Sequence, residues 1–226
     1  MIGLLADTNQ APYWQAVAVN FLGQWADEPA AKANLLEELK ANSPLIRERA
    51  VRSLAPVAGD ADVHSALQKL LSDPSRNVQI VAAWALRATV DMQCQAGQEL
   101  QQEIDFDSDQ PTGQFQEAML LLARQEPAQA LEHLKKATAW DPFSPPFLCA
   151  QAQVQDQLGQ LDEALKTLDQ AEAAAPNDPH IPYIRATILA RNGRYDEARA
   201  AAMQSLKIQP NFQPTEELLR NMPSNR

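Results

Sequence analysis

Apolar residues return along this chain at helical spacing, within two different long periods. Trp14, Ala18 and Leu22 recur 32 residues later as Ile46, Ala50 and Leu54, and again as Val78, Ala82 and Leu86. The i, i+4, i+8 spacing lays one apolar seam along each of three helices. Pro12, Pro44 and Pro74 stand just ahead of them, where a missing N–H costs nothing. Leu35, Leu36 and Leu39, then Leu67, Leu70 and Leu71, mark a preceding helix in each of two pairs. From Pro111 to Asn211 the period lengthens to 34: Pro142, Pro176 and Pro210 keep it, as do Ala118, Ala152 and Ala186, and Ala130, Ala164 and Ala198. Self-similarity at such a period is the signature of a stacked helical array.

Two antiparallel helices approach closely only where the crossing positions carry small side chains. Those positions are alanine in every unit, except Ser205 in the slot held by Ala137 and Ala171. Each pair is a thin plate that cannot cover its own apolar face, so it must stack, and the last one needs a polar cap. Phe212 to Asn221 reads as that cap, with Leu218 and Leu219 inward and Glu216, Glu217 and Arg220 outward.

Gly159-Gln160-Leu161-Asp162-Glu163-Ala164 and Gly193-Arg194-Tyr195-Asp196-Glu197-Ala198 each place a turn glycine before an acidic helix start. With the 34-residue period, these segments resemble the tetratricopeptide repeat (TPR) family. The first unit departs from the pattern: Gln125-Glu126-Pro127 replaces the Gly-x-Tyr turn, and Pro127 serves as first helical residue. Ser43 to Leu54 and Asn77 to Leu86, an apolar seam with an arginine, look like the second helix of short HEAT-like repeats. The fold class expected is all-α, a right-handed α-solenoid of stacked helix pairs. Its divisions are HEAT-like repeats over 1–90, a connecting helix and acidic turn over 91–110, three TPR units over 111–212, and a capping helix and tail over 213–226.

In the connection, Gln93 to Ile104 forms one helix with Leu100 and Ile104 on a common face. Asp105-Phe106-Asp107-Ser108-Asp109-Gln110 then has the D-x-D-x-D opening of a calcium loop. Such a loop needs glycine at its sixth place and glutamate at its twelfth, where this chain has Gln110 and Gln116. The segment reads as an acidic, solvated turn. At the other end, counting back one period from Leu35 and Leu39 lands on Gly3 and Asp7, so the array begins mid-repeat and a longer parent chain is expected. The opening from Gly3 to Gln10, followed by HEAT-like and then TPR units, is similar to the C-terminal extension of certain bacterial multihaem c-type cytochromes. That resemblance implies an extracytoplasmic protein whose haem-binding portion lies upstream, since no Cys-x-x-Cys-His occurs here.

Composition narrows the function classes. The 226 residues carry 19 Lys+Arg against 29 Asp+Glu, a net charge of −10, which argues against a nucleic-acid partner, because a phosphate backbone needs a basic stripe. The charge divides as −7 over 1–110 and −3 over 111–226, suited to solubility or to a basic partner. Cys94 and Cys149 stand alone and read as small buried apolar residues; no metal or haem-attachment spacing exists. No run of apolar residues is long enough to span a membrane, and Met1 to Leu5 is too short for a signal peptide. The chain thus carries no address: periplasmic if the cytochrome likeness holds, otherwise cytoplasmic. His64, His133 and His180 fall in separate elements, and no phosphate loop or nucleophile elbow occurs. No catalytic residue, metal ligand or cofactor is assigned, and the chain is read as a non-enzyme.

What remains is a surface for another protein or peptide. In TPR arrays the first helix of each pair lines the concave side, and the resemblance implies contacts from its second, fifth, ninth, twelfth and thirteenth positions. These are Thr112, Phe115, Met119, Leu122 and Ala123 in the first unit. The second unit offers Pro146, Cys149, Gln153, Asp156 and Gln157, and the third His180, Tyr183, Thr187, Ala190 and Arg191. Gln153, Tyr183, Thr187 and Arg191 form its least ambiguous part, while Phe115, Met119 and Leu122 either meet a ligand or pack on the connecting helix. Phe115 and Met119 occupy the places where the family's carboxylate clamp has lysine and asparagine, so a mixed apolar and amide groove is expected. Trp84 and Trp140 fall on apolar seams and are expected in the core; Trp25 has the best claim to exposure.

Overall fold

In a computed structural model the described residues are 12–223, and these form thirteen α-helices with no strand among them. The mid-repeat opening and the cytochrome-like start, both read on Gly3 to Gln10, lie outside the described residues. The fold is an all-α solenoid, and the chain divides after Asp105 into two compact units.

The first unit contains α1 (Pro12–Leu22), α2 (Pro29–Glu38), α3 (Pro44–Leu54), α4 (Ala61–Lys69), α5 (Arg76–Ala85) and nearly all of α6 (Gln95–Phe106). Helix α1 packs on α3 and α3 on α5, while α2 lies against α3 and α4 against α5. The three seams therefore meet. Leu22, Ile46, Ala50, Leu54, Ala82 and Leu86 share one core with Leu35, Leu39, Val63 and Leu67. Leu35, Leu54 and Leu67 are fully buried, each worth ~2 kcal/mol of apolar transfer. Trp14 departs from its seam: it stands 59% exposed, edge-on to Tyr13 at 5.3 Å. It sits in the first turn of α1, where nothing among the described residues covers it.

A buried ion pair ties the two helix pairs together. The Arg47 guanidinium, in the first turn of α3, donates from Nε and Nη2 to the two oxygens of Asp73, both at 2.7 Å. Its Nη1 donates to the carbonyls of Ala41 and Asn42 at 2.8 and 3.0 Å. Asp73 also accepts from the Ser75 backbone N–H at 2.8 Å, which anchors the entry to α5. Burial pushes the Asp73 carboxyl up, but the hydrogen bonds from Arg47 and Ser75 and the guanidinium charge outweigh it and hold the carboxyl below its ordinary value.

Helix α6 runs two residues beyond its expected end, so Asp105 and Phe106 are helical. Gln101 Nε2 donates to Asp105 Oδ1 at 3.0 Å one turn away, which supports the last turn. The acidic turn is correspondingly shorter. At its end Gly113 lies so close to the Asp107 carbonyl that a Cβ there would overlap it.

The second unit contains α7 (Pro111–Ala123), α8 (Pro127–Trp140), α9 (Pro145–Gln157), α10 (Leu161–Ala174), α11 (His180–Arg191), α12 (Tyr195–Ile208) and α13 (Gln213–Asn221). Helices α7 and α8, α9 and α10, and α11 and α12 pack as pairs. Ala118, Ala130, Ala137, Ala152, Ala164, Ala171, Ala186, Ala198 and Ser205 are all fully buried, as the small-residue notches require. The Ser205 hydroxyl lies 2.8 Å from the Pro179 carbonyl and 2.9 Å from Thr215 Oγ1 in α13, so the odd hydroxyl among the alanines is satisfied. Leu218 and Leu219 are only half-buried, packed on the core cluster that also holds Met222.

The three pair turns share one backbone motif. Glu126 N–H donates to Leu121 O, Gln160 to Gln155 O and Arg194 to Leu189 O, at 3.0, 2.8 and 2.9 Å, with inner bonds from Gln125 to Leu122 O, Gly159 to Asp156 O and Gly193 to Ala190 O. This is the Schellman arrangement, which needs a left-handed residue just past the helix. Gly159 and Gly193 supply φ of 77° and 75°, and Gln125 adopts 64° in the same place. The altered turn of the first unit is therefore the same turn built with an unfavourable residue.

Candidate functional site

The candidate site is the face presented by α7, α9 and α11, the first helices of their pairs. Helices α9 and α11 pack side by side, so their surface residues form one continuous strip. Its polar centre is a buried carboxylate. Asp156 in α9, with 2% of its side chain exposed, accepts from Arg191 Nη1 at 2.5 Å and from Asn192 Nδ2 at 2.6 Å. The Arg191 side chain is 60% exposed. Asp156, expected as a contact residue, is instead held inside, because two donors from the following unit enclose it. Asn192 was not singled out by the sequence; it lies one place beyond the last expected contact position, and its spacing gives no signal.

The other expected residues fall into two groups. Gln153 is exposed and makes no side-chain hydrogen bond among the described residues. Tyr183 is half-buried, its ring edge-on to Phe212 at 5.8 Å, and His180 meets the same Phe212 ring at 4.8 Å. His180 Nδ1 lies 3.0 Å from Asp178 Oδ1. The Thr187 hydroxyl donates to the Tyr183 carbonyl at 3.0 Å, so its proton serves its own helix. Phe115 and Met119 are half-buried against the cluster of Ala118, Leu121, Leu131, Leu134 and Val154, and the Phe115 ring lies 5.0 Å from that of Phe147 in α9. These two residues join neighbouring units. Cys149 packs on the Leu148 and Ile181 cluster, and burial, with the nearby Asp178 charge, pushes its thiol up to about 11, so it remains a neutral thiol in neutral solution.

Bonds between successive units hold the strip in register. Thr138 bonds Gln151 at 2.7 Å, Arg185 pairs with Asp169 and Glu172 at 2.7 and 3.3 Å, and Thr167 bonds the buried Gln155 at 2.8 Å within its pair. Among the described residues no group of three or more His, Cys, Asp or Glu side chains is placed to hold a metal ion. No helix of the described residues is long and apolar enough to cross a membrane. Trp140, expected in the core, is 51% exposed: it ends α8, where the next turn leads the chain away and the seam has nothing left to cover. Trp84 is half-buried, with the Arg87 guanidinium 5.1 Å above its ring.

Fold and face together define an α-solenoid protein built from two kinds of helix pair. Tetratricopeptide repeat models match residues 121–188 and 183–212, and a HEAT repeat model matches 3–87 and 33–110. These matches support a tetratricopeptide repeat protein with HEAT repeats before the TPR units. Similar solved structures include YrrB, described as a TPR protein with an unusual peptide-binding site, at 14% identity over 97% of each chain with a TM-score of 0.47. MamA of MSR-1 shows 18% identity over 72% of this chain and 97% of that one, TM-score 0.46. TTC0263, a thermophilic TPR protein of Thermus thermophilus, shows 20% identity over 91% of this chain and 97% of that one, TM-score 0.46. Comparison with curated proteins gives no match.

Proposed function

We propose that this chain is a non-catalytic interaction scaffold that holds an extended segment of a partner protein along the α9 and α11 strip. One observation carries the reading: Asp156 is buried under Arg191 and Asn192, which holds an exposed guanidinium on the helix that also carries the half-buried Tyr183, next to the helix that carries the exposed Gln153. An amide, a guanidinium and an aromatic face on adjacent rigid helices suit a peptide backbone with interspersed apolar side chains. Phe115 and Met119 contribute at the rim, with Cys149 and Thr187 forming the floor.

The test is a random peptide library selected against the wild-type chain, with the binders then measured against Tyr183→Ala combined with Gln153→Glu. Neither substitution touches a fully buried side chain, so far-UV circular dichroism should be unchanged while affinity falls at least about tenfold, or ~1.4 kcal/mol. Equal affinity for both proteins would remove the strip from consideration. A second reading, a docking domain of a multihaem cytochrome, is favoured by the order of HEAT then TPR repeats. Haem staining of the full-length gene product tests it, and an unstained product rejects it.

A further inference from the structure

The turn that joins α11 to α12 contains a chemically unstable dipeptide. Asn192-Gly193 is the one Asn-Gly pair in the sequence, and the corresponding places in the two earlier turns hold Arg124-Gln125 and Leu158-Gly159. Glycine serves the turn through its left-handed φ of 75°. Having no Cβ, it also leaves its own amide nitrogen unshielded, and that nitrogen can attack the side-chain amide before it. The reaction is deamidation. The Gly193 nitrogen bonds to Asn192 Cγ, the side-chain nitrogen leaves as ammonia with the Gly193 amide proton, and a succinimide ring remains. Water then opens the ring at the side-chain carbonyl to give aspartate, or at the main-chain carbonyl to give isoaspartate. One water is consumed, one ammonia is released, and nothing is oxidised or reduced.

The fold opposes the first step at both reacting groups. Asn192 Nδ2 donates to Asp156 Oδ1 at 2.6 Å and to the Ile188 carbonyl at 2.9 Å, which fixes the side chain against the body of the array. The Gly193 N–H donates to Ala190 O at 3.1 Å within the Schellman turn. Asn192 has a ψ of 10°, so the Gly193 nitrogen nearly eclipses the Asn192 nitrogen and is turned away from Cβ. The ring cannot close until the turn opens.

We propose that Asn192 is a modification site guarded by Asp156, and that its conversion dismantles the guard. An aspartate at this position puts a carboxylate oxygen where the amide donated, 2.6 Å from Asp156 Oδ1 and 2.9 Å from the Ile188 carbonyl. Two carboxylates so close oppose each other's ionisation, and Arg191 alone is left to serve both. Isoaspartate instead lengthens the main chain by one atom just before Gly193. The bond from Arg194 N–H to Leu189 O at 2.9 Å spans that point and loses its register. Neither product returns to asparagine, so the turn keeps a record of its own openings. This inference does not rest on the strip holding a peptide, because mass and stability read it without a partner.

The test is peptide mass mapping of the full chain after incubation at mildly alkaline pH, folded and in guanidinium chloride. The denatured chain converts at Asn192 ahead of its other asparagines. The folded chain converts at least about tenfold more slowly, because the turn must open first. Asp156→Ala shortens that delay while far-UV circular dichroism stays helical; if it fails to fold, Asp156→Asn, which offers only a neutral acceptor, decides. In thermal unfolding Asn192→Asp melts about 5 °C or more below wild type, and Asn192→Ser, which loses the amide without adding a charge, falls by less. Conversion as fast in the folded chain as in the denatured one would overturn the proposal, as would no conversion at Asn192 in either. So would a folded Asp156 variant that converts no faster than wild type, or an Asn192→Asp chain that melts with Asn192→Ser.

Discussion

Replacing Asp73 by alanine should unfold the first unit far more readily than its single side chain suggests. Asp73 and Arg47 have 4% and 12% of their side chains exposed, and the carboxylate accepts three hydrogen bonds, two from Arg47 and one from the Ser75 backbone. Removing it takes the acceptor from Nε and Nη2 of the guanidinium and from the Ser75 backbone N–H, and leaves Arg47 only its bonds from Nη1 to the Ala41 and Asn42 carbonyls. Breaking a buried pair from one side costs about 3–5 kcal/mol, a large share of the ~5–15 kcal/mol that holds a domain together. Guanidinium chloride unfolding followed by tryptophan fluorescence reads this directly. Trp140 is first replaced by phenylalanine, so that Trp14, Trp25 and Trp84 report the first unit alone.

The pH dependence gives an independent check. The folded carboxyl of Asp73 lies below its ordinary value of 3.8. Its contribution is therefore complete above the unfolded value and is lost as pH falls through the folded one. The gap in stability between wild type and Asp73→Asn should be constant at neutral pH and shrink below about pH 4. Replacing both partners, as Arg47→Met with Asp73→Leu, should recover most of the loss, because two apolar groups leave no orphaned charge. A loss for Asp73→Ala below ~1 kcal/mol, the range of an exposed pair, would refute the argument.

Two further substitutions test the turn, and a labelling experiment tests the thiol. Gln125→Gly should raise stability by about 1 kcal/mol, since the residue already adopts a left-handed φ of 64°. Gly159→Ala should lower it by a similar amount, although nothing lies within 4 Å of the added carbon, because the penalty is in the backbone; thermal unfolding reads both. Cys149, its thiol pushed up to about 11, should resist iodoacetamide at about pH 8 in the native protein and react once the chain is denatured, as peptide mass mapping would show.

The repeats were legible in the sequence because stacking helices at close distance leaves no alternative to small side chains. The nine positions of the 34-residue notch all emerge fully buried, and the turn of the first unit keeps its geometry despite Gln125. Periodicity reports which side of a helix is inward, but it does not report what stands opposite. Trp140 and Trp14 keep the seam spacing and still emerge exposed, because a seam is buried only where a neighbour reaches it. The residues expected to meet a partner show the same division. Their positions along α9 and α11 followed from the register, whereas the burial of Asp156 beneath Arg191 and Asn192 depends on side chains 35 and 36 residues apart, which meet only when one unit stacks on the next. The Arg47 and Asp73 pair belongs to the same class, an arginine visible in its motif whose partner lies 26 residues away. The sequence by itself determined the helices, their pairing and the stacking period, because these follow from local spacing and side-chain size. Tertiary structure alone decided which charges are enclosed and which aromatic faces stay open, because burial is a property of the neighbour and not of the residue.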